Sequence, residues 1–281
     1  MKRLFTLFIL CLSYTFLIAQ SHKEIIILHT NDTHSRIEPM PDNLPDQELA
    51  GTAGVVRRAT YIEQTRNGAS PVLLFDCGDF SQGTPYYNLF KGEVEIALMN
   101  AMGYDAATIG NHEFDFGIEN LARLYRMAKF PVVCSNYDVT GTALEGLVKD
   151  YVVIEKEGLK FGIFGLSPVL EGLVQEKNCK GITFKDPIKE AQRVANILKE
   201  QEGCDVVVCL SHLGYESTAP LSDVELISQT RNIDLVLGGH SHTYFDKPVW
   251  IKNLDGKEVP VQQMGKNGSY IGKFTLTFNQ K

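Results

Sequence analysis

An α/β fold with mixed sheets is predicted by three features of the chain. Short β-rich runs, apolar throughout, alternate with helical patterns along most of its length, as strands covered on both faces do. Two stretches break that alternation with hairpin patterns, which a purely parallel sheet lacks. The 281 residues are 44% hydrophobic, enough for a sizeable core, and that composition excludes disorder, collagen and coiled coil. At roughly 150 residues per domain, the length allows one large domain or two small ones.

In chain order, Lys2 and Arg3 precede an uncharged apolar run from Leu4 to Ala19. The run is too short for a comfortable membrane span and reads as a secretory signal cleaved after Ala19, an uncleaved anchor being the alternative. Residues 1–19 are then a signal peptide and residues 20–281 the working domain, exported to a periplasmic or extracellular space with no membrane span after cleavage. Removal of Lys2 and Arg3 takes the net charge from −7 to 25 − 34 = −9. With no Lys/Arg cluster, that balance argues against a nucleic acid duplex as partner. Five cysteines remain, an odd number, without CxxC or other metal spacing, and no bridge is assigned. Cys77 and Cys209 lie in apolar strand-like runs, as buried small hydrophobes do.

The strands expected next are Ile25–Leu28, Val72–Phe75, Thr108–Ile109, Val132–Val133, Val206–Leu210 and Leu235–Leu237. A helix is expected from Gly92 to Met102, closed by Gly103. Another runs from Asp186 to Glu202: Asp186 caps it, Pro187 suits its first position, and Ile188, Ala191, Ala195 and Leu198 form one apolar stripe ending before Gly203. Tyr151–Leu166 reads as a hairpin turning near Glu157 and Gly158. Pro248–Phe278 carries an Asp255-Gly256 hairpin signal and ends in the alternating strand KFTLTF. Glu38–Glu48, rich in Pro and acidic residues, is a loop.

The chemistry gathers just past the strand ends. HTNDTH supplies Asp32 and His34; DCGD supplies Asp79; GNHEFD supplies Asn111, His112, Glu113 and Asp115. His212 follows Val206–Leu210, and GGHSH supplies His240 and His242. A lone histidine at a strand end is more often a satisfied polar residue than a ligand, and Asp32, Asn111 or Asp115 alone could be turn formers. No structural rule asks five successive strand ends to carry His or Asp. In open α/β sheets, ligands bind outside the carboxyl ends of strands, so these residues can form one site. Carboxylate, imidazole and amide oxygen without thiolate suit zinc, manganese or iron rather than a structural zinc. Asp79, alone at its strand end, is the natural carboxylate to bridge two ions. Gly78, Gly110 and Gly239 would let the backbone turn sharply there. His22 and His29 gain no such support and read as structural or solvated.

The order DTH, GD, GNHE, H, GHSH resembles the calcineurin-like metallophosphoesterase superfamily. Within it, IIILHTNDTHSRI (Ile25–Ile37) and YDAATIGNHEFD (Tyr104–Asp115) resemble the 5′-nucleotidase family's catalytic domain. The resemblance implies two mixed β-sheets flanked by helices, a four-layer αββα sandwich, with residues 20–281 as one catalytic domain. It implies two divalent ions, one held by Asp32, His34, Asp79 and His242, the other by Asp79, Asn111, His212 and His240. Members of the nucleotidase branch often have Gln where this chain has His242, and His is the commoner superfamily choice. His112 and Asp115 resemble the family's catalytic dyad, while Glu113 is expected to support the turn.

The activity so implied is hydrolysis of nucleoside 5′-monophosphates by a hydroxide bridging the ions, with His112 stabilising the transition state and protonating the leaving oxygen. The same site would serve 2′,3′-cyclic nucleotides, UDP-sugars or general phosphomonoesters. A metal-dependent nucleotide-binding module is the non-enzymatic reading, against which an intact His112 and Asp115 argue. In the resembled nucleotidases a second, C-terminal domain stacks the base and helps bind phosphate through arginine. About forty residues follow GHSH here, so base recognition is expected from a separately encoded C-terminal subunit.

Overall fold

A computed structural model describes residues 22–216 and 221–279, and the expected signal, residues 1–19, lies outside the described residues. The strands are β1 (His22–Thr30), β2 (Val72–Asp76), β3 (Ala106–Ala107), β4 (Val132–Val133), β5 (Tyr137–Asp138), β6 (Val148–Lys149) and β7 (Tyr151–Lys156). They continue with β8 (Leu159–Leu166), β9 (Thr183–Phe184), β10 (Val206–Ser211), β11 (Leu235–Leu237), β12 (Val249–Lys252), β13 (Glu258–Gln262) and β14 (Gly272–Asn279). The helices are α1 (Val55–Arg66), α2 (Pro85–Phe90), α3 (Glu93–Met102), α4 (Ile118–Met127), α5 (Pro187–Asn196) and α6 (Asp223–Ser228).

Two six-stranded sheets carry the fold, in the orders β14-β1-β2-β3-β4-β6 and β12-β13-β11-β10-β8-β7, with β5 and β9 paired separately. The central pairings are parallel, whereas β14, β7 and β12 join antiparallel, so both sheets are mixed as expected. The two hairpins are those anticipated. Glu157 and Gly158 both take left-handed backbone at the turn between β7 and β8, and Gly256 does so between β12 and β13.

Burial explains why the strand runs are apolar on both faces. Ile25, Ile27, Leu73 and Phe75 of the first sheet meet Phe161, Ile163, Val208 and Leu210 of the second in a core between the sheets. Their alternate neighbours Leu28, Val72 and Leu74 face outward, under Ile62, Ile96 and Leu121 of α1, α3 and α4. On the far side, Phe164, Val207 and Cys209 pack against Ala191, Val194 and Leu226 of α5 and α6. Three stacked cores make four layers, the αββα sandwich. At α5, Asp186 accepts hydrogen bonds from Ile188 N and Lys189 N at 3.0 and 3.2 Å, the expected cap, and the helix widens to a π turn over Ile197–Gln201 before Gly203.

One strand is placed differently. The ladder after α3 forms at Ala106–Ala107 rather than Thr108–Ile109. Thr108 turns its hydroxyl onto the Val133 carbonyl at 2.9 Å, and the chain leaves the sheet two residues earlier than its apolar character suggests.

Candidate active site

The carboxyl ends of β1, β2, β3, β10 and β11 converge where the two sheets meet, and the chain leaving each carries the residues singled out above. Ligand atoms of Asp32, His34 and His242 lie within 4.8 Å of one another, and so do those of Asp79, His212 and His240. His34 Nε2 and His242 Nε2 are 3.0 Å apart, with Asp32 Oδ1 3.4 Å from His242 Nε2 and 3.9 Å from both His34 Nε2 and His212 Nε2. The two triads therefore adjoin, Asp32 reaching toward both. Asn111, 5% exposed, keeps Oδ1 buried without a hydrogen-bond partner.

Backbone geometry aims these side chains. Asp32, His34, Asp79, His240 and His242 all have positive φ, between 43° and 73°, a region that Asp and His enter more readily than most residues. Such strain persists only where surrounding contacts hold it. Of the adjacent glycines, Gly78 turns the chain at φ 86°. Gly110 serves differently. A Cβ there would fall 2.1 Å from Asp79 Oδ1, so its lack of a side chain makes room for the carboxylate rather than a turn.

Protons are arranged to leave nitrogen lone pairs inward. His212 Nδ1 donates to the Cys77 carbonyl at 2.6 Å and His34 Nδ1 to the Ser81 carbonyl at 3.2 Å, which frees Nε2 of each ring. Burial lowers the pKa of His34, and burial with the neighbouring His212 lowers that of His240 to about 4, so both favour the neutral imidazole. Burial opposes charge on Asp79 too, yet His212, His112 and His34 outweigh it and hold the carboxyl below its ordinary range. His212 rises to about 10 although burial acts against it, because Asp79 stands 3.1 Å away and Asp32 is near. The potential that favours a proton on His212 equally favours a divalent cation. Oxygen and imidazole donors gathered around two carboxylates, with an unpartnered buried Asn111 Oδ1, fit two divalent ions.

His112 and Asp115 sit at the edge of this centre on a single 3-10 turn. Nδ1 of His112 is 3.0 Å from Asp115 Oδ2, and its ring packs edge-on to His34 at 5.5 Å. The Asp115 hydrogen bond raises the His112 pKa, against burial, and Asp79 and Glu113 add to the rise. Glu113 is fully buried between the ligand loops. Its carboxylate accepts from Asp79 N, Ser81 N and Gly110 N at 3.0, 3.2 and 2.6 Å, tying two ligand loops together, the turn-supporting role expected of it.

Asp32, His34, Asp79, His212, His240 and His242 meet in the two triads, His112 packs on His34 with Asp115 beside it, and Asn111 lies in the loop between Gly110 and His112. The residues that hold the loops were not legible. Asn31 donates to Asp32 Oδ2 at 2.6 Å and to the Gly265 carbonyl at 2.8 Å, while its Oδ1 accepts from Met264 N. Gln263 accepts from Thr243 N at 2.6 Å and donates to the Gly239 carbonyl at 2.7 Å, fixing the GHSH loop. The available signal was the pair Gln262-Gln263, two successive amides at the end of β13. His29, left out of the site, is a buried strand residue facing Gln262 Oε1 at 3.4 Å. All five cysteines in the described residues are free.

Comparison with known proteins agrees with this geometry. Residues 25–244 match the calcineurin-like phosphoesterase family. A snake venom 5′-nucleotidase of Gloydius brevicauda is 33% identical over 284 residues, covering 94% of this chain and 47% of the relative. The crystal structure of a 5′-nucleotidase precursor from Thermus thermophilus superposes with a TM-score of 0.81 at 32% identity, over 91% of this chain and 52% of that one. The structure of the Haemophilus influenzae NAD nucleotidase gives 0.80 at 29% identity, over 92% of this chain and 54% of that one. The chain spans about half the length of the curated 5′-nucleotidases it matches.

Proposed function

The chain belongs to the calcineurin-like phosphoesterase family, and from that premise we propose that it hydrolyses phosphate esters of nucleotides, nucleoside 5′-monophosphates foremost, releasing inorganic phosphate. Asp32, His34, Asp79 and His242 would hold one divalent ion, and Asp79, Asn111, His212 and His240 the other; zinc, manganese and iron suit these donors. When bound, the pair supplies positive charge to the phosphoryl oxygens and lowers the pKa of water.

The protein's own part is positioning and proton transfer. Asp115 holds His112 through Nδ1 and favours its charged form, which leaves Nε2 to donate a proton to the departing oxygen and to stabilise the charge developing at phosphorus. Glu113 keeps the loops of Asp79 and Asn111 in register through three backbone N–H groups. The observation carrying the proposal is the His112–Asp115 pair standing against two adjoining ligand triads. Holding metal or nucleotide does not require such a pair, which favours an enzyme over a binding module.

A phosphate-release panel on metal-reconstituted protein tests the reading. AMP and other nucleoside monophosphates should release phosphate faster than 2′,3′-cyclic nucleotides, UDP-sugars or a generic aryl phosphate. Preference for one of the latter classes would move the assignment to that class, and nucleotide binding without release would refute it. We place the working enzyme outside the cytoplasm on the strength of the signal-like residues 1–19.

A further inference from the structure

Beside the ligand triads, on the side of the second sheet, lies a cavity of about 740 Å³. His240 forms one wall, and Leu173, Phe184, Pro187, Ile188 and Leu213 form much of the rest. Its volume falls within the roughly 300–1,000 Å³ of small-molecule sites, which are mostly apolar with a few polar groups at one side. Here the polar side is the metal centre itself, since His240 belongs to both. None of the described residues lining the cavity is a lysine or arginine, and its charged residues are Glu171 and Asp186. Asp186 is engaged in capping α5. Phosphate is repelled from such a lining and an uncharged ring is not. Leu173 and Phe184 remain 45% and 37% exposed, apolar groups left uncovered next to a polar centre.

We propose that this cavity seats the uncharged ring of the substrate, nucleobase or aryl group, while the phosphate lies at the ligand triads. The inference rests on the phosphoesterase reading and deepens it. The sequence led to the expectation that base recognition comes from elsewhere, whereas the cavity provides a contact within this chain. Charge divides the two halves of the substrate between the two halves of the site. The ester's anionic end goes to the cation-binding carboxylates and imidazoles, and its apolar end goes to Leu173, Phe184 and Ile188. Substrates bearing a ring are then preferred over small polar esters such as glycerol phosphate.

The test is equilibrium binding of 1-naphthylmethyl phosphonate and methylphosphonate, neither hydrolysable, to the manganese-loaded chain. The naphthyl ligand should bind at least about tenfold tighter, from the apolar area its ring buries. Leu173→Asp and Phe184→Asp alter partly exposed side chains, and circular dichroism confirms that each variant is folded. In both, the affinity ratio should fall toward one. Equal binding of the two ligands by the unaltered chain, or a ratio that survives both substitutions, overturns the proposal and leaves the cavity to a protein segment. Phosphate release from 1-naphthyl phosphate is measured alongside. Ring preference without release upholds the cavity and refutes the phosphoesterase reading instead.

Discussion

His112 and Asp115 stand three residues apart, and their 3.0 Å contact is within one turn, so a local motif carried it into the fold intact. Replacing His112 by Asn keeps an N–H donor on a smaller, uncharged side chain but removes proton transfer. We expect a loss of about 10²–10⁴-fold in turnover with metal content unaltered, and full activity in that variant would refute the assigned role. Asp79→Asn acts at the other level: the residue faces His212 at 3.1 Å and accepts His112 N through Oδ1. Elemental analysis should show its metal occupancy reduced, and full occupancy of both sites would contradict the bridging role. The ligands were readable because each sits in a short run whose neighbours are set by the same turn. Asn31 and Gln263 were not, because the loops they join to the site, around Gly265 and Met264 for Asn31 and around Gly239 and Thr243 for Gln263, are brought to them only by the tertiary fold. Asn31 meets Met264 across 233 residues, and no local pattern marks an amide for that use.

Among the elements, the pairing of β1 with β14 depends on one missing side chain. His29 lies opposite Gly272, and a Cβ at position 272 would fall 1.8 Å from His29 Nε2. Gly272→Ala should cost about 1–3 kcal/mol or more, as overpacking does, read as a lower urea midpoint. An unchanged midpoint would show that the strand edge can shift. His29 also sets a pH dependence. Burial holds its pKa at about 4 against an ordinary 6.5, with Gln262 pulling slightly upward. Since the folded value lies below the unfolded one, this stabilisation is complete above pH 6.5 and is lost as pH falls toward 4. The Tm of His29→Gln should therefore decline less steeply across that window than that of the parent chain, and parallel slopes would rule out His29 as the source. Long apolar runs and capped helices were legible among the elements: Val206–Ser211 packs on both faces, and Asp186 caps α5. The two-residue strands β3, β5, β6 and β9 were less so, since a two-residue ladder is defined by its partner rather than by its own composition. Thr108 and Ile109 look as strand-like as Ala106 and Ala107, and only the sheet's geometry decides between them.

Across the molecule, the αββα order brings carboxyl ends from two sheets together, and that arrangement concentrates two carboxylates and several imidazoles at one place. Divalent ions should therefore stabilise the fold as well as activate it. Each site saturated to 100 Kd contributes about 2.7 kcal/mol, and at about 2–4 °C per kcal/mol for a chain of this size chelation should lower Tm by about 5–11 °C for each ion removed. A Tm indifferent to chelator would argue that the ligand triads do not hold metal. Reducing agent should leave Tm unchanged, because the five cysteines of the described residues are unbridged. Among the described residues no helix is long and apolar enough to cross a membrane. The layer order followed from the family the motifs resemble and the gathering of the strand ends from the motifs; the cavity beside His240 did not, because its walls come from separate segments between Pro168 and His240 that only the tertiary fold brings together. Whether these residues make a two-ion phosphoesterase is decided by phosphate release from AMP, measured with metal analysis of the same samples. We expect two divalent ions per chain, release that ceases on chelation and returns with manganese or zinc, and a His112→Asn protein that keeps both ions but releases little. A chain holding two ions that frees no phosphate from any nucleotide would disprove the assignment.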